Sequence, residues 1–324
     1  MLVSAATLGV TATVASQETP EAFLGERMPY AAFDGLPVTR LPVPGGEIAV
    51  GFAPGPLTLP REDLLAWVER SAAAVAAYYG RFPARSTRLL LVPRSGRGVR
   101  GGRAWGHRGA AIRITVGEHT HPADLENDWV LVHEMTHLAF PSVPARHHWI
   151  EEGLATYVEP IARAQAGQLR PATVWLDLVA GLPKGLPRGG DRGLDHTRTW
   201  GRTYWGGALF ALLADIEIWR RTRGRAGLRE ALRAILVAGN IETASPLEPV
   251  LAIGDRATGV PVLGELYQRM KDDPAPVDLE ALWRELGVRP EVSGVRLDDT
   301  APLAAARRAI TTPHSEAVPS GGSR

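Results

Sequence analysis

The chain has 324 residues, of which 45% are hydrophobic and 22% are charged, so it can build one large or two modest globular domains. Its 36 Lys and Arg residues nearly balance 35 Asp and Glu residues, which gives no sign of nucleic acid or an anionic membrane as the principal partner. The absence of cysteine excludes disulfides, thiolate nucleophiles and cysteine metal ligands, so any metal ion must be held by histidines and carboxylates.

The N-terminal segment is apolar and rich in small residues to about Ala15, and it turns polar from Gln17 to Pro20. This order resembles the hydrophobic region and cleavage zone of an export signal, although no basic residue precedes it. We therefore expect residues 1–20 to be a signal and the protein to be secreted, periplasmic or in the cell envelope. Otherwise they form a disordered segment of a cytoplasmic protein. The segment is shorter than the ~20 apolar residues of a membrane span, and we expect no span after residue 20.

The next part of the chain combines short apolar runs with one long amphipathic segment. Residues 36–60 are rich in proline and glycine and include "EIAVGF", a pattern typical of edge strands and turns. Apolar residues recur at helical spacing over 61–79, and Gly80 is expected to end that helix. Two strands are then predicted, a short apolar run at 87–93 and an alternating run at 111–116 with one buried face.

A segment rich in glycine and arginine separates these two strands. Gly96, Gly98 and Gly101 match the G-x-G-x-x-G pattern of dinucleotide-binding turns, but that fingerprint requires a helix directly after it, and here a strand is predicted. We interpret the segment as a solvated flexible loop, with a rim for an anionic ligand or substrate as the alternative. Its arginines are Arg94, Arg97, Arg100, Arg103 and Arg108.

From residue 123 onward nearly every periodic segment is helical. Helices are predicted over 123–140, 149–165, 203–222, 226–237 and 278–286. The strands are thus N-terminal and the helices C-terminal, which predicts an α+β fold with a β-rich subdomain at 21–142 and a helical subdomain at 143–310. The sequence "PSVP" marks the boundary near residue 142, and the Ser/Gly/Pro-rich residues 311–324 are expected to be a disordered tail.

The stretch "WVLVHEMTHLAF" at 129–140 carries two histidines and a glutamate in an otherwise apolar helix. Residues four apart lie on one helix face, so His133 and His137 can direct both imidazoles at a single metal ion. Glu134 lies about 100° around the helix from His133, where it can reach a ligand of that metal without binding the metal itself. This is the H-E-x-x-H pattern, in which the glutamate is a general base for a bound water.

A catalytic zinc ion needs three protein ligands, so a third ligand is expected downstream. The segment "HHWIEEGLATYVE" offers His147, His148, Glu151 and Glu152. A short connection into a second helix would return one carboxylate to the histidine pair, and Gly153 would permit close helix packing there. Two adjacent glutamates cannot both face one point on a helix. We predict Glu152 as the third ligand of Zn²⁺, with Glu151 or His147 as alternatives.

These residues resemble a known family. "HEMTH", followed by Glu152 in "WIEEGLATY", is similar to the gluzincin zinc metallopeptidases, whose H-E-x-x-H is completed by a glutamate in W-x-x-E-G-x-A-x-Y. "TYWGGALF" at 203–210 resembles the Tyr-x-x-Gly-Ala segment of the aminopeptidase N superfamily, and the helix after it looks like that of the glycyl aminopeptidase branch. "ATGVPVLGELYQRM" and "LEALWRELGV" also look like helices of that branch, so the resemblance covers roughly residues 100–290.

The resemblance implies a zincin-like fold with a mixed N-terminal β-sheet and the active site between the two subdomains. It also implies that Tyr204, at the tyrosine of Tyr-x-x-Gly-Ala, stabilises an oxyanion, a role that suits the neutral hydroxyl of a phenol. An ordinary buried tyrosine is the alternative reading of Tyr204.

Two features depart from aminopeptidase N itself. Fourteen residues, not eighteen, separate His137 from Glu152, and no Gly-Ala-Met-Glu-Asn segment is present to bind the free amine of a substrate. Strand 111–116 occupies the corresponding place in the chain and is the candidate to bind substrate backbone as an extended edge.

Together these features predict a zinc-dependent peptidase with a peptide or protein substrate. Zn²⁺ would be held by His133, His137 and Glu152, with Glu134 as general base and Tyr204 as oxyanion donor. The alternatives are a catalytically weak peptide-binding homologue and a cell-envelope interaction protein with peptidase-like helices. The sequence leaves the choice between exo- and endo-cleavage and the oligomeric state open.

Overall fold

The computed structural model describes residues 27–313. Its N-terminal part is a five-stranded mixed sheet of β1 (Val38–Val43), β2 (Gly46–Phe52), β3 (Ser86–Arg94), β4 (Val99–Trp105) and β5 (Ala110–Gly117). The strand order is β1-β2-β3-β5-β4. Strands β2, β3 and β5 are parallel, whereas β1 and β4 lie at the two edges and run antiparallel to their neighbours. The predicted α+β arrangement with an N-terminal mixed sheet is confirmed.

Helices cover both faces of this sheet and build the rest of the chain. α1 (Tyr30–Asp34) packs on one face, and α2 (Arg61–Tyr79) connects β2 to β3 across the other. The remaining helices are α3 (Pro122–Glu126), α4 (Val130–His137), α5 (His148–Gln165), α6 (Pro171–Gly181), α7 (Gly207–Arg221), α8 (Leu228–Ala238), α9 (Leu247–Thr258), α10 (Val262–Met270), α11 (Leu279–Leu286) and α12 (Ala304–Thr311). A hairpin of β6 (Val288–Glu291) and β7 (Gly294–Leu297) lies between α11 and α12.

The sheet is buried on both faces because successive side chains of each strand point to opposite sides. In β3, Leu89 and Leu91 face the main core with α2, whereas Leu90 faces a smaller cluster with Phe33 of α1. All three leucines are fully buried. This explains why β3 reads as a continuous apolar run in the sequence.

Most of the predicted elements are confirmed. α2 ends at Gly80, whose φ of +80° is the left-handed conformation that glycine adopts without strain. β3 and β5 match the strands predicted at 87–93 and 111–116. α5, α7, α8 and α11 match the predicted helices at 149–165, 203–222, 226–237 and 278–286, although the first turn before α7 is a π-helix. α6, α9, α12 and the β6–β7 hairpin were not predicted.

Four predictions are wrong. β2, which contains "EIAVGF", pairs with both β1 and β3 and is therefore not an edge strand. The helix expected at 123–140 is broken into α3 and α4, because the Asp128 carboxylate accepts hydrogen bonds from the backbone amides of Val130 and Leu131 at 3.0 and 3.1 Å and starts a new helix. The segment interpreted as a flexible loop contains β4, whose backbone pairs with β5. As a result the strand at 111–116 is not an extended edge, because β5 lies between β3 and β4.

The ends of the chain and the subdomain boundary remain predictions. The segment 1–20 lies outside the described residues, as do residues 314–324 of the expected tail, whereas Thr311 is the last residue of α12. The main apolar core continues from the sheet into the C-terminal helices, across the boundary expected near residue 142. Within residues 27–313, no helix is both long and apolar enough to cross a membrane.

Candidate active site

The three side chains predicted to bind a metal ion converge between α4 and α5. Oε2 of Glu152 lies 3.2 Å from Nε2 of His133 and 3.5 Å from Nε2 of His137. One ligand atom from each residue lies within 4.8 Å of the other two. In the part of the chain that the structure describes, no other group of three His, Asp or Glu side chains converges in this way. The residues spaced four apart on α4 therefore do meet a carboxylate from the next long helix.

The two alternative third ligands point elsewhere. The Glu151 carboxylate accepts a hydrogen bond from the backbone amide of Val143 at 3.3 Å and lies outside the converging group. His147 is fully buried, and its Nδ1 lies 2.9 Å from Oδ1 of Asp195. Both side chains are thus occupied in fixing the start of α5.

His148 contacts the candidate ligand from the outside, a role that the sequence reasoning missed. Its Nε2 lies 3.3 Å from Oε1 of Glu152, and its Nδ1 lies 3.2 Å from Oε2 of Glu151. His148 therefore holds the carboxylate oxygen of Glu152 that does not face His133 and His137. The signal was present in the sequence, because His148 and Glu152 are four residues apart on one helix face.

The charge state of Glu152 suits a metal ligand. Burial alone would favour the neutral carboxylic acid, but the hydrogen bonds with His133, His137 and His148 outweigh it and lower the pKa of Glu152. Glu152 is therefore a carboxylate over the whole physiological pH range. Two imidazoles and one carboxylate form a donor set typical of zinc.

Glu134 lies beside this group, on α4 and against β4. Its side chain is buried, and burial raises its pKa to about 7. The strand comes so close that a Cβ atom at position 102 would lie 2.5 Å from Cγ of Glu134, so any residue larger than glycine would displace a neighbouring side chain. Gly102 belongs to the segment that the sequence reasoning treated as a flexible loop. The segment "RGGRAW" comes shortly before the strand predicted at 111–116, and this short connection could have indicated a β-hairpin. Its two glycines, however, interrupt the alternation of side chains that marks a strand.

Tyr204 lies on the other side of the histidines, on a π-helical turn at Arg202–Gly206 just before α7. Such turns are rare and frequently mark functional sites. The Tyr204 ring stacks on that of His133, with centroids 6.3 Å apart and planes at 19°. Burial raises the pKa of Tyr204 to about 12, with further contributions from Glu152 and Glu134, so its hydroxyl keeps its proton and remains a neutral donor.

Two glycines explain how Tyr204 reaches the site. A Cβ atom on Gly153 would lie 2.3 Å from the Cα atom of Gly207, so α5 and α7 touch through their backbones, as expected for Gly153. Gly153 follows Glu152, and Gly207 comes three residues after Tyr204. The close approach of the two helices therefore places Tyr204 next to Glu152.

If Tyr204 is not the oxyanion donor, Tyr157 and His196 are the next candidates in the sequence, and both lie in different surroundings. Tyr157 is fully buried, and its hydroxyl donates a hydrogen bond to Asp215 at 2.9 Å. His196 is exposed, and its Nε2 lies 2.9 Å from Oδ1 of Asp272. Both therefore already have partners in the described structure, and neither lines the cleft.

An open cleft of about 810 Å³ is lined by the three candidate metal ligands and by Glu134 and Tyr204. The edge strand β4 forms one wall, and α4, α5 and Tyr204 form the other. Arg100 and Arg103 line the cleft, which agrees with the alternative interpretation of the arginine-rich segment as a rim. The cleft can hold an extended chain along a strand edge, with the converging ligands in its wall.

Comparison with known proteins supports the same fold. No protein-family model and no curated protein match the sequence. The structure is similar to an aminopeptidase N family protein from Idiomarina loihiensis, with 15% identity, 78% of this chain and 49% of that chain covered, and a TM-score of 0.59. It is also similar to a variant of the M1 zinc metallopeptidase from Deinococcus radiodurans, with 16% identity, 75% and 53% coverage, and a TM-score of 0.50. The chain thus spans about half the length of these structures and has the fold of the aminopeptidase N family and M1 zinc metallopeptidases.

Proposed function

We propose that this protein is a zinc-dependent peptidase that hydrolyses peptide bonds in the cleft beside β4. The observation that carries the proposal is the convergence of His133, His137 and Glu152, with Glu134 and Tyr204 on either side. The fold shared with M1 zinc metallopeptidases supports it. The export signal proposed for residues 1–20 would deliver this peptidase out of the cytoplasm.

The donor atoms fit a zinc ion. Zinc bonds of ~2.0–2.1 Å at tetrahedral angles separate two ligand atoms by roughly 3.3 Å. The observed separations from Oε2 of Glu152 are 3.2 Å to His133 and 3.5 Å to His137. These three residues would hold the metal, which when bound acts as a Lewis acid that polarises a carbonyl and makes water acidic near neutral pH.

The residues around the ligands supply the proton transfers and the oxyanion donor. Glu134, with a pKa raised to about 7, takes a proton from the attacking water and returns it to the leaving amine. The hydroxyl of Tyr204 donates a hydrogen bond to the oxyanion that forms from the scissile carbonyl. His148 keeps the Glu152 carboxylate in one orientation through its second oxygen.

The peptide backbone binds along β4. As an edge strand, β4 pairs with β5 on one side only, so an extended peptide can add to its other side, and its residues line the cleft. Within the described residues, the carboxylates lining the cleft are Glu134, Glu151 and Glu152, none of which lies on β4. β4 therefore offers no carboxylate for a substrate's free amine, and blocked peptides belong in every substrate test.

Metal content and peptide cleavage test the proposal together. We expect about one Zn²⁺ per chain by elemental analysis. The wild type should cleave a mixed library of free and blocked peptides, and Glu134→Gln should keep the metal but lose cleavage. If the zinc-loaded wild type binds library peptides but cleaves none, the protein is the catalytically weak homologue. If it neither retains zinc nor binds peptides, the proposal is wrong.

A further inference from the structure

A second cavity of about 490 Å³ adjoins the cleft on the side of Tyr204. Trp129, His133 and Tyr204 line both the cleft and this cavity, so the two spaces share a wall. We call this second cavity the aromatic chamber. The proposed chemistry does not use it.

Stacked rings form the wall between the chamber and the cleft. The Trp200 ring lies on that of Tyr204, with centroids 5.8 Å apart and planes at 27°. The Trp129 ring meets that of His133 edge-on at 5.5 Å. Trp205 also lines the chamber. Aromatic rings therefore extend from the candidate metal ligand His133 to the mouth of the chamber.

Two of these tryptophans are exposed. In the described residues few large apolar side chains reach the solvent, but Trp129 is 53% and Trp200 60% exposed. Both line the same cavity, so they form one exposed apolar surface instead of scattered single residues. Such a surface beside a concave site indicates a ligand that covers it.

The charged groups of the chamber do not favour an ionic ligand. Glu159 and Arg163 line the chamber, are buried and are paired with each other, with 3.0 Å between Oε1 and Nη1. The Lys184 ammonium lies 5.5 Å from the ring centroid of Trp205 and 5.9 Å from that of Trp200. Asp177 adds one carboxylate, so acidic and basic groups are equal in number. Selection in the chamber therefore depends on apolar contact and ring stacking.

We propose that the aromatic chamber binds a phenylalanine, tyrosine or tryptophan side chain of a peptide whose backbone lies in the cleft. The identification of the ligand as a peptide rests on the proposed peptidase function. An aromatic ring entering the chamber would stack on Trp200 and cover the exposed faces of both tryptophans. Trp200, Trp129 and Trp205 are then specificity-determining residues.

Cleavage of matched peptides tests this preference. Blocked alanine octapeptides that carry one Phe, Leu, Arg or Ala at a fixed position are compared by kcat/KM and by cleavage site. Replacing Ala by Phe at the position that enters the chamber should raise kcat/KM roughly 10- to 100-fold. A stronger preference for Arg would overturn the proposal, because it would identify the carboxylates of Asp177 and Glu159 as the recognition groups.

Two variants and one control connect the preference to the chamber. Trp200→Ala removes a wall, and Ala180→Phe fills the space from the exposed face of α6. Both should lower the Phe-to-Ala ratio of kcat/KM at least several-fold. Leu176→Ala, which removes an exposed apolar side chain on the same helix outside the chamber, should leave the ratio unchanged. An unchanged ratio in both chamber variants would overturn the assignment.

A binding measurement separates this inference from the proposed function. N-acetylphenylalanine amide and N-acetylalanine amide are titrated into the full-length protein and observed by ligand NMR. Only the phenylalanine compound should bind, and Trp200→Ala and Ala180→Phe should weaken its binding. If this result is obtained but no peptide is cleaved, the peptidase proposal fails and the chamber stands. If peptides are cleaved but neither compound binds and no aromatic preference exists, the chamber proposal fails alone.

Discussion

A single methyl group on β4 should disable the proposed general base. In Gly102→Ala the added Cβ would lie 2.5 Å from Cγ of Glu134 and 2.6 Å from Cδ1 of Ile114. Ordinary carbon contacts are ~3.5–4.0 Å, so both overlaps must be relieved by movements of about 1 Å in these side chains or in the strand. Ile114 is fully buried in the close-packed core, whereas Glu134 lines the cleft and can move into it. We therefore expect the Glu134 side chain to be displaced.

The displacement sets the expected size of the effect. A misplacement of ~1 Å in a catalytic group lowers the rate on the order of 10²-fold, and overpacking of this kind costs ~1–3 kcal/mol of stability. Gly102→Ala should therefore fold and retain zinc, since it touches none of the three ligands, but lose about 99% of kcat/KM. Peptide turnover, elemental analysis and thermal unfolding measure these three properties.

The matched control is Gly189→Ala, which adds the same methyl group where nothing lies within 4 Å. It should leave turnover, zinc content and unfolding unchanged. If Gly102→Ala folds, keeps zinc and turns over peptide at the wild-type rate, the close contact between β4 and Glu134 does not position the base, and the reasoning is refuted.

Three further predictions concern the ligands, the two catalytic groups and the helix contact. The double variant His137→Ala, Glu152→Ala should lose the metal while the single variant Glu134→Gln keeps it; elemental analysis that finds full zinc in the double variant would remove these residues from the ligand set. Glu134→Gln should lower kcat by at least ~10²–10⁴-fold, whereas Tyr204→Phe should lower it on the order of 10²–10³-fold with little change in KM. Near-wild-type kcat in Tyr204→Phe would make Tyr204 only a packed tyrosine. Gly153→Ala forces α5 and α7 apart. It should lower the free energy of unfolding by more than the ~1–3 kcal/mol of a side-chain overlap, because the clash at 2.3 Å is with backbone. An unchanged midpoint of unfolding in urea would show that the two helices can separate without loss of stability.

The elements that could be predicted from the sequence are those whose signal is local. α2 has apolar residues at helical spacing and a glycine at its end, and both features are complete within twenty residues. The i, i+4 spacing of His133 and His137 likewise requires only that the segment is helical. The exact start of α4 was missed, because Asp128 has a polar side chain that can either extend α3 or cap a new helix, and only the capping hydrogen bonds decide.

β4 could not be predicted because the glycines that let it approach Glu134 interrupt its strand pattern. A strand with a buried face normally shows alternating apolar residues, but β4 has Gly102 where the chain passes over Glu134, and Gly101 beside a shift in its register with β5. A larger side chain at position 102 would make the strand easier to recognise in the sequence. It would also prevent β4 from lying this close to Glu134. The substrate edge was assigned in the sequence to β5, the neighbouring strand with the readable pattern, whereas the edge strand that lines the cleft is β4.

The aromatic chamber was also beyond sequence reasoning. Its tryptophans come from the start of α4 and from the turn before α7, about seventy residues apart in the chain. Neither segment alone suggests a cavity, and a single tryptophan is usually part of the core. Only the contact between α5 and α7 brings Tyr204 and Trp200 beside His133.

The position of Glu152 depends on contacts from distant parts of the chain, which explains why the sequence left Glu151 and His147 as alternatives to Glu152 as the predicted third ligand. The connection from α4 to α5 is fixed at Ser142, whose amide donates to the carbonyl of Thr243 at 2.8 Å. The start of α5 is fixed by Asp195, which accepts a hydrogen bond from Nε1 of Trp149 at 2.7 Å and lies 2.9 Å from Nδ1 of His147. These anchors set the rotation of α5 about its axis, and that rotation decides which of two adjacent glutamates faces the histidines. The fourteen residues between His137 and Glu152 are therefore enough to bring Glu152 back to the two histidines. The orientation of α5 is set by long-range contacts and not by the length of the connection.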